Sequence, residues 1–135
     1  MNEVDRREQA ELSRCLLAGE VDYREAASIA GEAIRRIADR ITEDRADPLL
    51  GAMAIHGWAR AAGAWDEESE LFPELRSWGA EFLQLGDALE ERQDNSAERT
   101  ALQALIRGYA KAFLTDTQPP AWELDRQGHL VPPAR

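Results

Sequence analysis

The side chains in this sequence that are equipped to do chemistry are two histidines, His56 and His129, one cysteine, Cys15, and twenty-six carboxylates. His56, His129 and Cys15 are the only soft metal ligands, and no two of them stand at a metal-site spacing. A structural zinc site takes four Cys or His ligands, so no metal site is expected. His56 shares a helix face with Arg60, one turn further on, which reads as a polar strip on an otherwise apolar helix. No serine or cysteine carries the local signature of a nucleophile. No glycine-rich loop follows a strand in the manner of a phosphate cradle. The expectation is therefore a chain with no catalytic residue and no cofactor.

The carboxylates are different, because they are concentrated. Between Asp66 and Asp94 ten acids face two arginines, Arg76 and Arg92, so this segment holds eight of the ten net negative charges of the chain. Read as helix, the segment gathers Glu70, Glu74, Glu81 and Glu91 into an acidic face behind an apolar stripe, and Glu67 joins them in the acidic surface expected over 66–94. Such a face either keeps the protein soluble or meets a basic protein surface, and it repels nucleic acid and anionic membrane. These five glutamates are the expected partner-binding residues.

A second use of carboxylates is to hold Mg²⁺. The run LQLGDALEE, Leu83 to Glu91, resembles the ELGD stretch of the MazG-type all-α nucleotide pyrophosphatases. The resemblance implies paired acidic helices holding Mg²⁺ at a substrate's phosphates, with Glu67 and Glu70 as the first pair and Asp87 part of the second. It covers about a dozen residues. Gln84 stands where the motif has a glutamate, and both candidate pairs lie on nearly one helix, interrupted by Pro73, instead of facing each other across a bundle. An Mg²⁺-dependent pyrophosphatase is thus the alternative to a non-catalytic interaction protein.

The elements that position these residues are legible from apolar spacing. The stretch from Asp47 to Trp65 has one permanent charge after Pro48, Arg60, in a chain whose charged fraction is 31%. It reads as a helix enclosed by others, with Asp47 as its cap and Pro48 at the first helical position. Leu50, Ala54, Ala61 and Trp65 should line one side, and His56, Arg60, Gly63 and Ala52 the wet strip. It is too short and too polar to cross a bilayer. Before it come a helix over about 3–18, with Gly19 as a left-handed stop, and one over 23–43, opened by Asp22 and Glu25. In the latter Tyr23, Ala27, Ala30, Ile34, Ile37 and Ile41 recur at helical spacing.

After the enclosed helix, Pro73 marks a boundary in a helix over about 70–92. Its stripe of Leu71, Leu75, Trp78, Phe82, Leu85 and Leu89 steps by fours and threes over about 27 Å, at 1.5 Å per residue. The stripe serves the core or, in part, a homodimer seam. Asn95 and Glu98 open the last helix, 96–115, with Leu102, Leu105, Ile106, Tyr109 and Phe113 on its apolar side. Glycines 51, 57, 63, 79 and 86 fall inside helical patterns, where each costs about 1 kcal/mol relative to alanine. That cost points to close approach of neighbouring helices.

Residues 116–135 change character: four of the six prolines lie here, around WELDRQGHLV, which could fold back as a short hairpin. The expectation is one all-α bundle of about five helices over 1–115, with an irregular or short-hairpin tail over 116–135 packed on it. A single cysteine excludes an internal disulfide, and the charged N-terminus carries no apolar leader, so the cytoplasm is the expected compartment. An inhibitor, an immunity or antitoxin-like protein, or a small subunit of an assembly would fit.

Overall fold

The computed structural model describes residues 3–62, 73–115, 123–124 and 130–131 of the 135-residue chain. Its described part is an all-α bundle of five helices: α1 (Glu3–Leu17), α2 (Tyr23–Thr42), α3 (Pro48–Ala61), α4 (Pro73–Glu91) and α5 (Ser96–Leu114). Two short strands follow, β1 (Glu123–Leu124) and β2 (Leu130–Val131), paired antiparallel with Glu123 opposite Val131 and Leu124 opposite Leu130. The hairpin expected in the tail is therefore present as this pair. Where the remainder of 116–135 lies is outside the described residues.

The helix starts are set by side chains that satisfy the open backbone N–H groups of the first turn. The Asp22 carboxylate accepts from the Glu25 N–H at 2.8 Å, Asp47 from Leu50 N–H at 3.0 Å, and Asn95 from Glu98 N–H at 3.1 Å. Pro48 occupies the first helical position behind Asp47, where its missing N–H has no partner to lose. α4 is described from Pro73 onward; residues 70–72, which the apolar spacing also assigns to it, lie outside the described residues. Gly19 ends the turn after α1 with φ of 73°, in the left-handed region where a side chain would be strained.

α3 is the centre of the bundle and touches all four other helices. Ala52, Ile55 and Ala59 are completely buried and Trp58 is 2% exposed. The wet strip assigned to α3 is therefore corrected at Ala52, which faces the interior, while Arg60 is exposed and His56 is half-buried. The inward line is corrected at Leu50, which is 52% exposed. A helix enclosed by four neighbours turns its smallest residues to the closest of them, and Leu50, in the first turn, is left at the edge. Trp65 and Leu71 lie outside the described residues.

The glycines of α3 and α4 do permit close approach. A Cβ on Gly51 would stand 2.6 Å from Ile41 Cδ1 of α2, and one on Gly86 would stand 2.9 Å from Met53 Sδ. A Cβ on Gly57 would meet the Gln9 side chain of α1, whose Nε2 donates to the Ala54 carbonyl at 3.2 Å. Gln9 is buried among apolar residues and is held there by that bond, which ties α1 to the central helix. In α4, Trp78, Phe82, Leu85 and Leu89 are all buried within the chain, so the described part of the stripe serves the core. Trp78 stands edge-on to Phe113 at 5.3 Å and to Tyr109 at 6.4 Å, which locks α4 against α5.

Candidate interaction face on helix α4

With its apolar side committed to the core, α4 turns the opposite side outward. Asp87, Glu90 and Glu91 lie at positions i, i+3 and i+4, a single surface on a helix, and sit across the axis from Phe82, Leu85 and Leu89. All three are exposed, and Asp94, in the turn that follows, extends the row by another step. Glu90 and Glu91 stand in the last turn, where the helix dipole disfavours negative charge, and that turn contains no basic residue.

The end is steadied from just beyond the helix. Arg92 Nη1 donates to the Ala88 carbonyl at 3.2 Å and Gln93 Nε2 to the Leu89 carbonyl at 3.1 Å, satisfying two of the open acceptors. Arg92 also pairs with Glu91 at 3.5 Å and, through Nε, with Glu98 of α5 at 3.4 Å. The face thus has a fixed scaffold and three carboxylates, Asp87, Glu90 and Asp94, to which no cation is paired among the described residues.

The five glutamates expected to bind a partner are dispersed by this geometry. Glu91 is in the face. Glu67 and Glu70 lie outside the described residues; Glu74 stands in the first turn of α4, with its side chain outside the description. Glu81 is the correction: it turns inward toward α5, where it accepts from the Tyr109 hydroxyl, and its Oε2 is buried without a partner. Burial holds its carboxyl above the ordinary range, against the opposing pull of the Tyr109 bond. The sequence carries the signal for this, because Glu81 is three residues after Trp78 and four before Leu85, on the flank of the apolar stripe. Asp87, Glu90 and Asp94, within the acidic segment 66–94, join Glu91 on the exposed face, and the spacing of Asp87 and Glu90 places them opposite the stripe.

The remaining chemistry-bearing residues that are described do not converge, and His129 lies outside the described residues. His56 hydrogen-bonds the Gly79 carbonyl, which joins α3 to α4. Burial, assisted by Arg60, pulls its pKa below the ordinary histidine value. Cys15 lies beside Glu11 and Glu20; desolvation and these acceptors push its thiol up, away from the thiolate a nucleophile needs. Among the described residues, no three His, Cys, Asp or Glu side chains stand close enough to hold a metal ion. Of the residues named by the pyrophosphatase resemblance, Asp87 is exposed on the outer face of α4 and Glu67 and Glu70 lie outside the described residues.

Comparison with family models, with curated proteins and with solved structures finds no match to this chain. Among the described residues, no helix is long and apolar enough to cross a membrane.

Proposed function

We propose that the chain is a non-catalytic interaction module that engages a basic protein surface through the acidic face of α4. The observation that carries this reading is the exposed row Asp87, Glu90 and Glu91, extended by Asp94 in the following turn, on a helix that buries Trp78, Phe82, Leu85 and Leu89 on its other side. Two of these acids lie at the helix end where they cost stability, so folding alone does not account for their placement. Exposed charges of one sign raise the rate of encounter with an oppositely charged partner and add little to folding. An inhibitor, an immunity or antitoxin-like protein, or a small assembly subunit would use such a face, and the cytoplasm is the compartment we propose.

The test is capture from the native extract at low and at high salt, with the wild type and with a variant carrying Asp87→Asn, Glu90→Gln, Glu91→Gln and Asp94→Asn. The reading expects a basic protein to be retained by the wild type at low salt and released at high salt, since exposed charges are screened within about 8 Å at physiological ionic strength. The neutralised chain should fail to retain it. Equal retention by both chains would place the binding surface elsewhere.

A further inference from the structure

Helices α1 and α2 leave an open furrow between them, bordered by Leu12 of α1, Ile29 of α2 and Trp58 of α3. A second hollow lies between Asp5 of α1 and Arg40 of α2, bordered by Leu50 of α3. The large apolar side chains exposed among the described residues are Val4, Leu17, Ile29 and Leu50, which belong to α1, α2 and α3; the described side chains of α4 and α5 include none. Exposed apolar residues that collect on neighbouring helices mark an interaction surface.

Charge decides what covers that surface. α1 and α2 together carry seven acids and seven arginines, so this side is balanced in a chain of net charge −10. A second copy brought up to α4 would set acid against acid, whereas α1 and α2 offer it no net repulsion. The order of charges along α2 goes further. Glu25, Ile29, Glu32, Arg36 and Arg40 recur every three or four residues, forming one stripe of the helix, and all five are exposed. The stripe is acidic in its first half and basic in its second.

Turned end for end against itself, such a stripe is its own complement. Glu25 and Glu32 of one copy then stand opposite Arg40 and Arg36 of the other, and a two-fold axis repeats each pairing. Glu32 and Arg36 stand at i, i+4, the spacing of an ion pair within a helix. Yet neither they nor Glu25 and Arg40 have an ion-pair partner among the described residues, so all four charges are available to a second copy. We infer that two copies of the chain associate about a two-fold axis through an antiparallel contact between their α2 helices, with Ile29 of each copy buried against the other. The dimer leaves the acidic row of α4 open in each copy and does not depend on what that row binds.

Sedimentation equilibrium of the full chain tests this from about 1 μM to about 1 mM, the span of weak to moderate association. The mass should rise with concentration from 15.1 kDa toward twice that value. Arg36→Glu and Glu32→Arg, both at exposed positions, should each weaken the dimer at least about tenfold, because each sets like charges together twice across the axis. An equimolar mixture of the two variants should associate again, since every reversed charge then meets its opposite. Ile29→Ser should weaken the wild-type contact about tenfold through lost apolar burial. Should a reversal unfold the chain, dilution of the ¹⁵N-labelled wild type decides the point: the amide resonances of Glu25, Ile29, Glu32, Arg36 and Arg40 should move and those of Asp87 and Glu90 should not. A mass that stays at 15.1 kDa, a dimer indifferent to both reversals, a mixture that stays dissociated, or dilution shifts confined to α4 would each overturn the assignment.

Discussion

Glu81→Gln should stabilise the protein at neutral pH and do so less and less as the pH is lowered. In the wild type the Tyr109 hydroxyl donates to one side of the carboxylate while Oε2 is buried with no donor. Leaving a buried polar group unsatisfied costs about 1–3 kcal/mol, and more when the group is charged. Glutamine keeps an acceptor for Tyr109 and replaces the unpaired charged oxygen with an unpaired neutral amide, so the gain is the difference between two penalties, about 1 kcal/mol. For a chain of this length that corresponds to a rise in Tm of about 3–4 °C. Glu81 has a folded-state pKa raised above its ordinary value of 4.5. Its contribution to stability is therefore fully present below about pH 4.5 and is lost as the pH rises through the folded pKa. Thermal unfolding followed by circular dichroism at pH 4, 5, 6, 7 and 8 should show the variant melting above the wild type at pH 7–8 and the two curves converging toward pH 4. A difference of the opposite sign at neutral pH, or one that does not change with pH, would refute the placement of Glu81 as a buried acid.

His56 should act in the opposite direction. Its folded pKa is depressed by burial, so the stability that depends on it is present above the ordinary value of 6.5 and is lost as the pH falls below it. His56→Gln should consequently shrink the loss of Tm between pH 7 and pH 5, and an unchanged loss would count against it. Gly51→Ala and Gly108→Ala should move Tm in opposite senses. The first puts a Cβ 2.6 Å from buried Ile41 and should cost about 1–3 kcal/mol through overpacking, whereas the second meets nothing within 4 Å and should gain about 0.5–1 kcal/mol in helix propensity. Denaturant titration of the two variants checks both signs.

The bundle was largely legible in the sequence because its local signals agree with one another. The caps Asp22, Asp47 and Asn95, the stop at Gly19 and the stripe from Trp78 to Leu89 all act within a few residues, and each is found where the spacing puts it. What the sequence could not supply was the identity of the neighbour across a helix flank. Glu81 is polar and by type belongs outside; the Tyr109 hydroxyl arriving from α5 is what draws it in. Leu50 and Ala52 were exchanged between wet and dry sides for a related reason, since a helix touched by four others no longer has a single apolar face to read.

The claim that the α4 carboxylates steer a basic partner is tested most directly by the association rate of the captured protein, measured by stopped-flow fluorescence from low to high ionic strength. The wild-type rate constant should fall steeply with added salt, and the chain with Asp87, Glu90, Glu91 and Asp94 neutralised should start slower and lose most of that dependence, with Tm nearly unchanged. Rates and salt dependences that coincide for the two chains would contradict the assignment of this face.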